Sequence, residues 1–233
     1  MAANPTVRDT YIVMKEMKWY NRIKIEGLEG VWDMKTITIG RQYGSGGRQV
    51  GALLAKSLNI PFYDGNLLLI AAEKYGINPG VMAEMDERKQ SSLLYGISMI
   101  ADGYLNQEKI MLPYKVYQAQ ADTILRLVEE GPCVFVGRCA EHVLRNHGYK
   151  NLLSVFIYAS SMEERVERVM EVDHIPQREV YSRIAHKDKQ RKDYYYFHTG
   201  EDWGKMENYD LCLNTTALGY EGCADIIEKI AKA

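Results

Sequence analysis

Short apolar runs rich in β-branched residues alternate along this chain with longer stretches whose apolar positions recur every three or four residues. Residues 37–39, 60–63, 133–136 and 211–213 read as strands, and 152–158 (LLSVFIY) is the most continuous apolar run of all. Residues 46–58 read as a helix with Val50, Leu53, Leu54 and Leu58 on one face. Residues 66–75 read as a second helix ending at Gly76, and 77–130 as mostly helical with a break at Pro113. Further helices are predicted from 141, over 162–172 and over 221–232. Fully apolar strands that alternate with amphipathic helices predict parallel βαβ units, hence a three-layer α/β/α fold around a parallel sheet.

Residues 1–33 break this pattern. They mix charges and aromatic residues without a sustained period, and Met34 stands directly before the first strand. The segment is expected to be a poorly ordered N-terminal extension, or an upstream stretch ahead of a start at Met34. A docked helix or hairpin around 11–25 is the alternative. Residues 34–233 are then the folded domain.

In parallel sheets, ligands collect outside the carboxyl ends of the strands. The residues at those ends are informative here. The strand at 37–39 runs through Arg41 into Gly44-Ser45-Gly46-Gly47-Arg48-Gln49, and then into a helix. Glycines let backbone N–H groups approach an anion closely, and a helix start adds partial positive charge. The stretch resembles a P-loop, with a departure. That pattern ends Gly-Lys-Ser/Thr, whereas Gly47 is followed here by Arg48, Gln49 and Val50. Ser45 is the one nearby hydroxyl that could serve as a metal ligand. The bland alternative is a glycine turn that merely starts a helix. Arg41 is expected either to meet a phosphate or an incoming acceptor, or to cap the loop electrostatically.

Three more strand exits carry polar groups: Asp64, Gly137-Arg138 and Asn214-Thr215. Asp64 suits a substrate contact or a helix cap, and Asp-Gly is a common turn pair. An arginine leaving an apolar strand is expensive to desolvate unless an anion or an acid such as Glu141 meets it. Cys139 beside it has no histidine base placed by sequence and reads as packing. Farther on, Arg183, Lys187 and Arg191 recur every four residues, so on a helix they share a face. They suit either a solvated surface relieved by Glu179 and Asp188, or a mobile cationic arm closing on a transferring phosphoryl group. Tyr194-Tyr195-Tyr196-Phe197-His198 and Trp203 read as an aromatic anchor for that arm, or as a base-stacking surface.

Composition narrows the field. With 46% hydrophobic and 26% charged residues and a net charge of −2 over 233 residues, nothing global suggests nucleic acid or an anionic membrane as partner. The 4 cysteines form no CxxC pair, which fits buried reduced thiols. No apolar run approaches the ~20 residues of a membrane span, and no signal-peptide core is present. The chain is expected in the cytoplasm.

The segments ITIGRQYGSGGRQVGALLAKSLNIPFYDGNLL, CVFVGRCAEHVL, the 187–191 region with YYYFHTGEDWG, and NYDLCLNTTALG, in this order and spacing, resemble the cytidylate kinase-like family of P-loop nucleoside monophosphate kinases. The resemblance implies a five-stranded parallel sheet, a helical nucleotide-binding insertion near 66–115 and a lid near 173–205. It implies ATP as donor, Mg²⁺, and CMP or dCMP as a small-molecule acceptor. Gly44, Ser45, Gly46, Gly47, Arg48 and Gln49 would then hold the ATP phosphates, and Asn214 and Thr215 would edge the adenine pocket. Arg41, Asp64, Arg138 and Arg183 would face the acceptor, with Arg48, Lys187 and Arg191 as the catalytic cations. Two departures stand out. Arg48 replaces the loop lysine without a following hydroxyl, and Cys139 stands where better-characterised cytidylate kinases carry an aspartate. They keep two alternatives open: a nucleotide-binding regulatory module with impaired turnover, and a kinase for a non-nucleotide small molecule.

Overall fold

A computed structural model describes residues 34–65, 67, 70, 71, 73 and 107–233. The expected extension at 1–33 and most of the insertion near 66–115 therefore lie outside the described residues. Five strands form a single parallel sheet in the order β2-β3-β1-β4-β5. They are β1 (Thr36–Arg41), β2 (Phe62–Tyr63), β3 (Val134–Val136), β4 (Leu152–Tyr158) and β5 (Leu211–Asn214). The helices are α1 (Gly47–Leu58), α2 (Gln107–Glu129), α3 (Ala140–Asn146), α4 (Met162–Asp173), α5 (Gln177–Thr199) and α6 (Thr215–Ala231).

β1 is the central strand, and its first five residues are fully buried, as a strand covered on both faces must be. Alternation sends successive side chains to opposite layers. Ile37, Ile39, Val134 and Val136 pack with Val50 and Leu54 of α1 and Ile227 of α6 on one face. Phe135 and Cys133 point the other way, into a cluster with Ile124, Leu127 and Val128 of α2 and Leu144 of α3. The chain leaves β1 toward β2 on one side, whereas β3 crosses back over β1 to β4 on the other. A crevice therefore opens at the carboxyl ends of β1 and β3.

Two expectations need correction. First, α2 runs without interruption through Pro113. A proline removes one N–H from the ladder, and the buried stripe of Val116, Ala119, Thr123, Ile124 and Leu127 farther along holds the helix in place. Second, the last helix starts at Thr215, not near 221. Asn214 caps it through a bond from the Thr216 N–H (3.1 Å), and Gly219 (φ 68, ψ 175) kinks it, which hides the first turns in the sequence pattern. The cationic face expected at 183–191 lies on α5, which packs on α4. Val180 and Ile184 of α5 bury against Val166 and Val169 of α4, with Tyr43 packed alongside. Of the expected helix at 66–75, Leu67, Ile70, Ala71 and Glu73 are helical, and the other positions lie outside the described residues.

Candidate functional site

The phosphate-loop segment turns twice through left-handed glycines, Gly44 (φ 79) and Gly46 (φ 78), before α1 begins at Gly47. At Gly44 a Cβ would meet the Arg165 carbonyl at 2.9 Å, so both backbone angle and space demand glycine. α1 starts with neither a side-chain cap nor an acid in its first turn. α4, by contrast, is capped by Ser161 and carries Glu163 and Glu164. The N-terminal amides of α1 are thus left to a ligand or to water.

A cavity of about 220 Å³ opens beside this loop. Its walls are Gly40, Arg41 and Tyr43 from β1 and the loop, Gly137, Arg138, Cys139 and Glu141 from the β3–α3 turn, Lys187, Gln190, Arg191, Tyr194 and Tyr195 from α5, and Trp203 and Tyr209 beyond it. Three guanidiniums meet there. Burial pulls the Arg41 pKa well below its ordinary value, and the charges of Arg191 and Arg138 push it the same way. Burial also lowers Arg138, and lowers Arg191 to about 10, where Asp188 works against the fall. Arg191 therefore remains cationic at neutral pH. Carboxylates offset this crowding in part, Asp64 and Glu141 at Arg41 and Asp188 at Arg191, and an anionic ligand would offset it further.

Local backbone geometry aims these groups. Gly137, Arg138 and Cys139 all have positive φ (84, 63 and 51), so two successive non-glycine residues are held left-handed at the end of β3. On α5, Arg191 donates from Nη1 to the Arg41 carbonyl (2.9 Å) and lies over the Tyr43 ring (5.3 Å to the centroid). One turn earlier, Asp188 accepts the Tyr43 N–H (2.7 Å) and pairs with Arg165, whose Nε donates to the Tyr43 carbonyl (2.8 Å). The Tyr43 hydroxyl also reaches Asp173. The loop and α5 are therefore latched together by an ionic cluster.

The expected site residues divide into two groups. Arg41, Arg138, Lys187 and Arg191 lie in one cavity. Gly44, Ser45, Gly46, Gly47, Arg48, Gln49, Asp64, Arg183, Asn214 and Thr215 do not line it. Arg48 points outward, its side chain 72% exposed, and pairs with Asp64. Arg183 is exposed at the solvent end of the α5 face. Asn214 caps α6 and receives the Ser160 N–H (3.1 Å). Thr215 donates to the Ser45 and Tyr158 carbonyls, tying the β5–α6 junction to the phosphate loop. The Ser45 hydroxyl is buried, turned toward the Gln42 and Ile157 carbonyls at 2.9 and 3.1 Å.

That arrangement does not suit a magnesium ion held by protein groups. The loop's hydroxyl faces the core, Asp64 is paired, and no cluster of three His, Cys, Asp or Glu side chains is present among the described residues. A divalent ion that enters on the phosphates of a nucleotide belongs to the substrate.

Among the wall residues, Glu141 and Tyr209 were not singled out by sequence reasoning as site groups, whereas Tyr194, Tyr195 and Trp203 were read as an anchor or a base-stacking surface. Glu141 is buried at the start of α3, and burial raises its pKa to about 7. Tyr194, Tyr195 and Tyr209 are all pushed above the ordinary phenol range by burial. Trp203 packs edge-on to Phe156 of β4 (5.5 Å) and Tyr209 tilts onto it (5.0 Å), whereas on α5 Tyr195 is buried, His198 stacks on Tyr117 of α2 (3.9 Å), and Tyr196 and Phe197 are exposed. Cys139 is buried and its thiol is raised well above the ordinary value, which leaves it unreactive.

The sequence matches the model of the cytidylate kinase-like family over residues 36–217. No curated protein matches it. Among solved structures, an uncharacterized protein from Eubacterium ventriosum is 25% identical with a TM-score of 0.63, covering 86% of this chain and 99% of its own. A shikimate kinase from Bacteroides thetaiotaomicron shares the fold at 12% identity, with a TM-score of 0.50 and coverage of 86% and 99%. No described helix is long and apolar enough to cross a membrane.

Proposed function

The chain belongs to the cytidylate kinase-like family, and on that premise we propose that it moves the terminal phosphoryl group of ATP onto a phosphate oxygen of CMP or dCMP. In this reaction the bond between the γ-phosphorus and its bridging oxygen breaks, with the electron pair leaving on ADP. A new bond forms to the acceptor phosphate oxygen. Such an acceptor is already anionic, so no general base is needed; placement and charge neutralisation carry the step.

The observation that supports this reading is the meeting of Arg41, Arg138, Lys187 and Arg191 at one cavity beside an uncapped helix start. The loop amides suit the donor phosphates. Arg138, from the β3–α3 turn, and Lys187, from α5, suit the acceptor phosphate and the charge that develops in transfer. The tyrosine and tryptophan wall excludes water from the reacting groups.

One observation favours a second reading. Glu141 lines the same cavity as a buried carboxyl that is partly protonated near neutral pH. A general base of that kind suits a hydroxyl acceptor on an anionic small molecule. ADP release from ATP, measured against a panel of nucleoside monophosphates and of phosphorylated or carboxylated alcohols, separates the two. Release stimulated by CMP or dCMP supports the first reading, and release stimulated only by an alcohol supports the second. Thermal stabilisation by ATP without any release supports a nucleotide-binding regulatory module.

A further inference from the structure

We infer that Arg41, reaching in from the entry of the phosphate loop, supplies the cation that the residue after the last loop glycine supplies in the Gly-Lys-Ser/Thr pattern. This rests on the phosphoryl-transfer reading above. α1 begins at Gly47, directly behind the left-handed Gly46, so Gly47 stands at the position of that lysine. A Cβ built on Gly47 would lie 2.6 Å from the Arg41 Cβ, 3.1 Å from its Cγ and 3.3 Å from the Ile157 Cβ. The space that a side chain at 47 would enter is already filled by the stem of Arg41.

The guanidinium at the end of that stem lies against a second glycine. A Cβ on Gly137 would collide with Arg41 Nη1, and Gly137 is itself left-handed (φ 84). Two glycines, on the β1–α1 and β3–α3 turns, thus leave room for one arginine. Its carbonyl is held by Arg191 at 2.9 Å, which fixes the backbone from which it projects. Arg41 lines the cavity, whereas Arg48 projects outward with its side chain 72% exposed and pairs with Asp64. A planar fork at this point can bridge two phosphate oxygens, as a lysine ammonium cannot. The loop has therefore moved its charge from the helix to the strand and kept it aimed at the same place.

The test is ATP affinity of the full chain, measured by calorimetry for the wild type and for Arg41→Ala, Arg41→Gly, Gly47→Lys and the Arg41→Gly/Gly47→Lys double variant. Arg41→Ala should weaken ATP at least tenfold. Gly47→Lys alone should also weaken it, because the new stem collides with Arg41. The double variant removes the whole Arg41 side chain, including the Cβ that would lie 2.6 Å from a Cβ at 47, and puts a lysine at the helix start, so it should bind ATP at least tenfold more tightly than Arg41→Gly. If Arg41→Ala or Arg41→Gly does not fold, Arg41→Met, which keeps the stem without the charge, decides by its affinity as a single variant. A double variant no tighter than its Arg41 parent, or an Arg41 variant that binds like wild type, overturns the assignment. Wild-type protein that binds no ATP overturns the phosphoryl-transfer reading, and this inference with it.

Discussion

Asp188 accepts the backbone N–H of Tyr43 at 2.7 Å, so a carboxylate from α5 sits directly on the phosphate loop. The same carboxylate pairs with Arg165, whose side chain is only 6% exposed. Removing one partner of a buried pair strands the other charge, at roughly 3–5 kcal/mol. Asp188→Ala should therefore lower the unfolding free energy by about 3 kcal/mol, measured by urea denaturation. Adding Arg165→Met to Asp188→Ala should restore part of the loss, because it removes the stranded guanidinium.

Arg138 is held left-handed (φ 63) at the mouth of a cavity that it shares with two other arginines. Glycine adopts that backbone without the penalty of ~1 kcal/mol or more that a side chain incurs. Arg138→Gly should thus unfold without ligand at a temperature at least as high as wild type, by ~2–4 °C for ~1 kcal/mol in a chain of this size. The thermal stabilisation produced by ATP together with an anionic acceptor should disappear. A Tm well below wild type in the absence of ligand would show that Arg138 holds the fold together and does not strain it.

Burial raises the Glu141 pKa from about 4.5 unfolded to about 7 folded. The folded protein therefore binds more protons than the unfolded chain between those two values. Its contribution to stability is fully present below the unfolded pKa and is lost as pH rises through the folded one. Wild type should lose up to about 3 kcal/mol between pH 4.5 and 7 from this group, and Glu141→Gln should flatten that slope in denaturant titrations run across the range.

Cys133, Cys139 and Cys223 are buried, whereas Cys212 is exposed. Under native conditions one thiol should react with a chromogenic disulfide reagent on the fast time scale, and all 4 after unfolding. Two or more fast thiols in the native protein would contradict the packing role assigned to Cys139.

Much of the fold was legible because its signals are local. A buried strand is an uninterrupted apolar run, and the polar residue that ends it announces the sheet edge where ligands collect. Arg41 and Arg138 could be placed on that edge from this rule alone. What could not be read is tertiary. Arg48 follows the glycines directly and reads as the loop's cation, but one residue of helix register turns it outward toward Asp64. Asp188 reads as mere relief for neighbouring lysines, since nothing in the sequence links it to an amide 145 positions away. The inward turn of Ser45 and the burial of Glu141 likewise depend on neighbours supplied by other elements. Gly47 carried the clearest unread signal. A glycine at the first position of a helix has little reason to be there unless another side chain needs its space.

Because Asp188 already occupies the Tyr43 amide, the unliganded loop is not bare. An anion that claims this donor arrives by exchange, evicting one oxyanion as it docks, so its measured affinity is a difference between two attachments. The evicted carboxylate belongs to the helix that carries Lys187, Gln190 and Arg191. On the proposed phosphoryl-transfer reading, occupancy at the loop would thereby register as slack in α5, giving donor and acceptor a mechanical reason to bind in sequence.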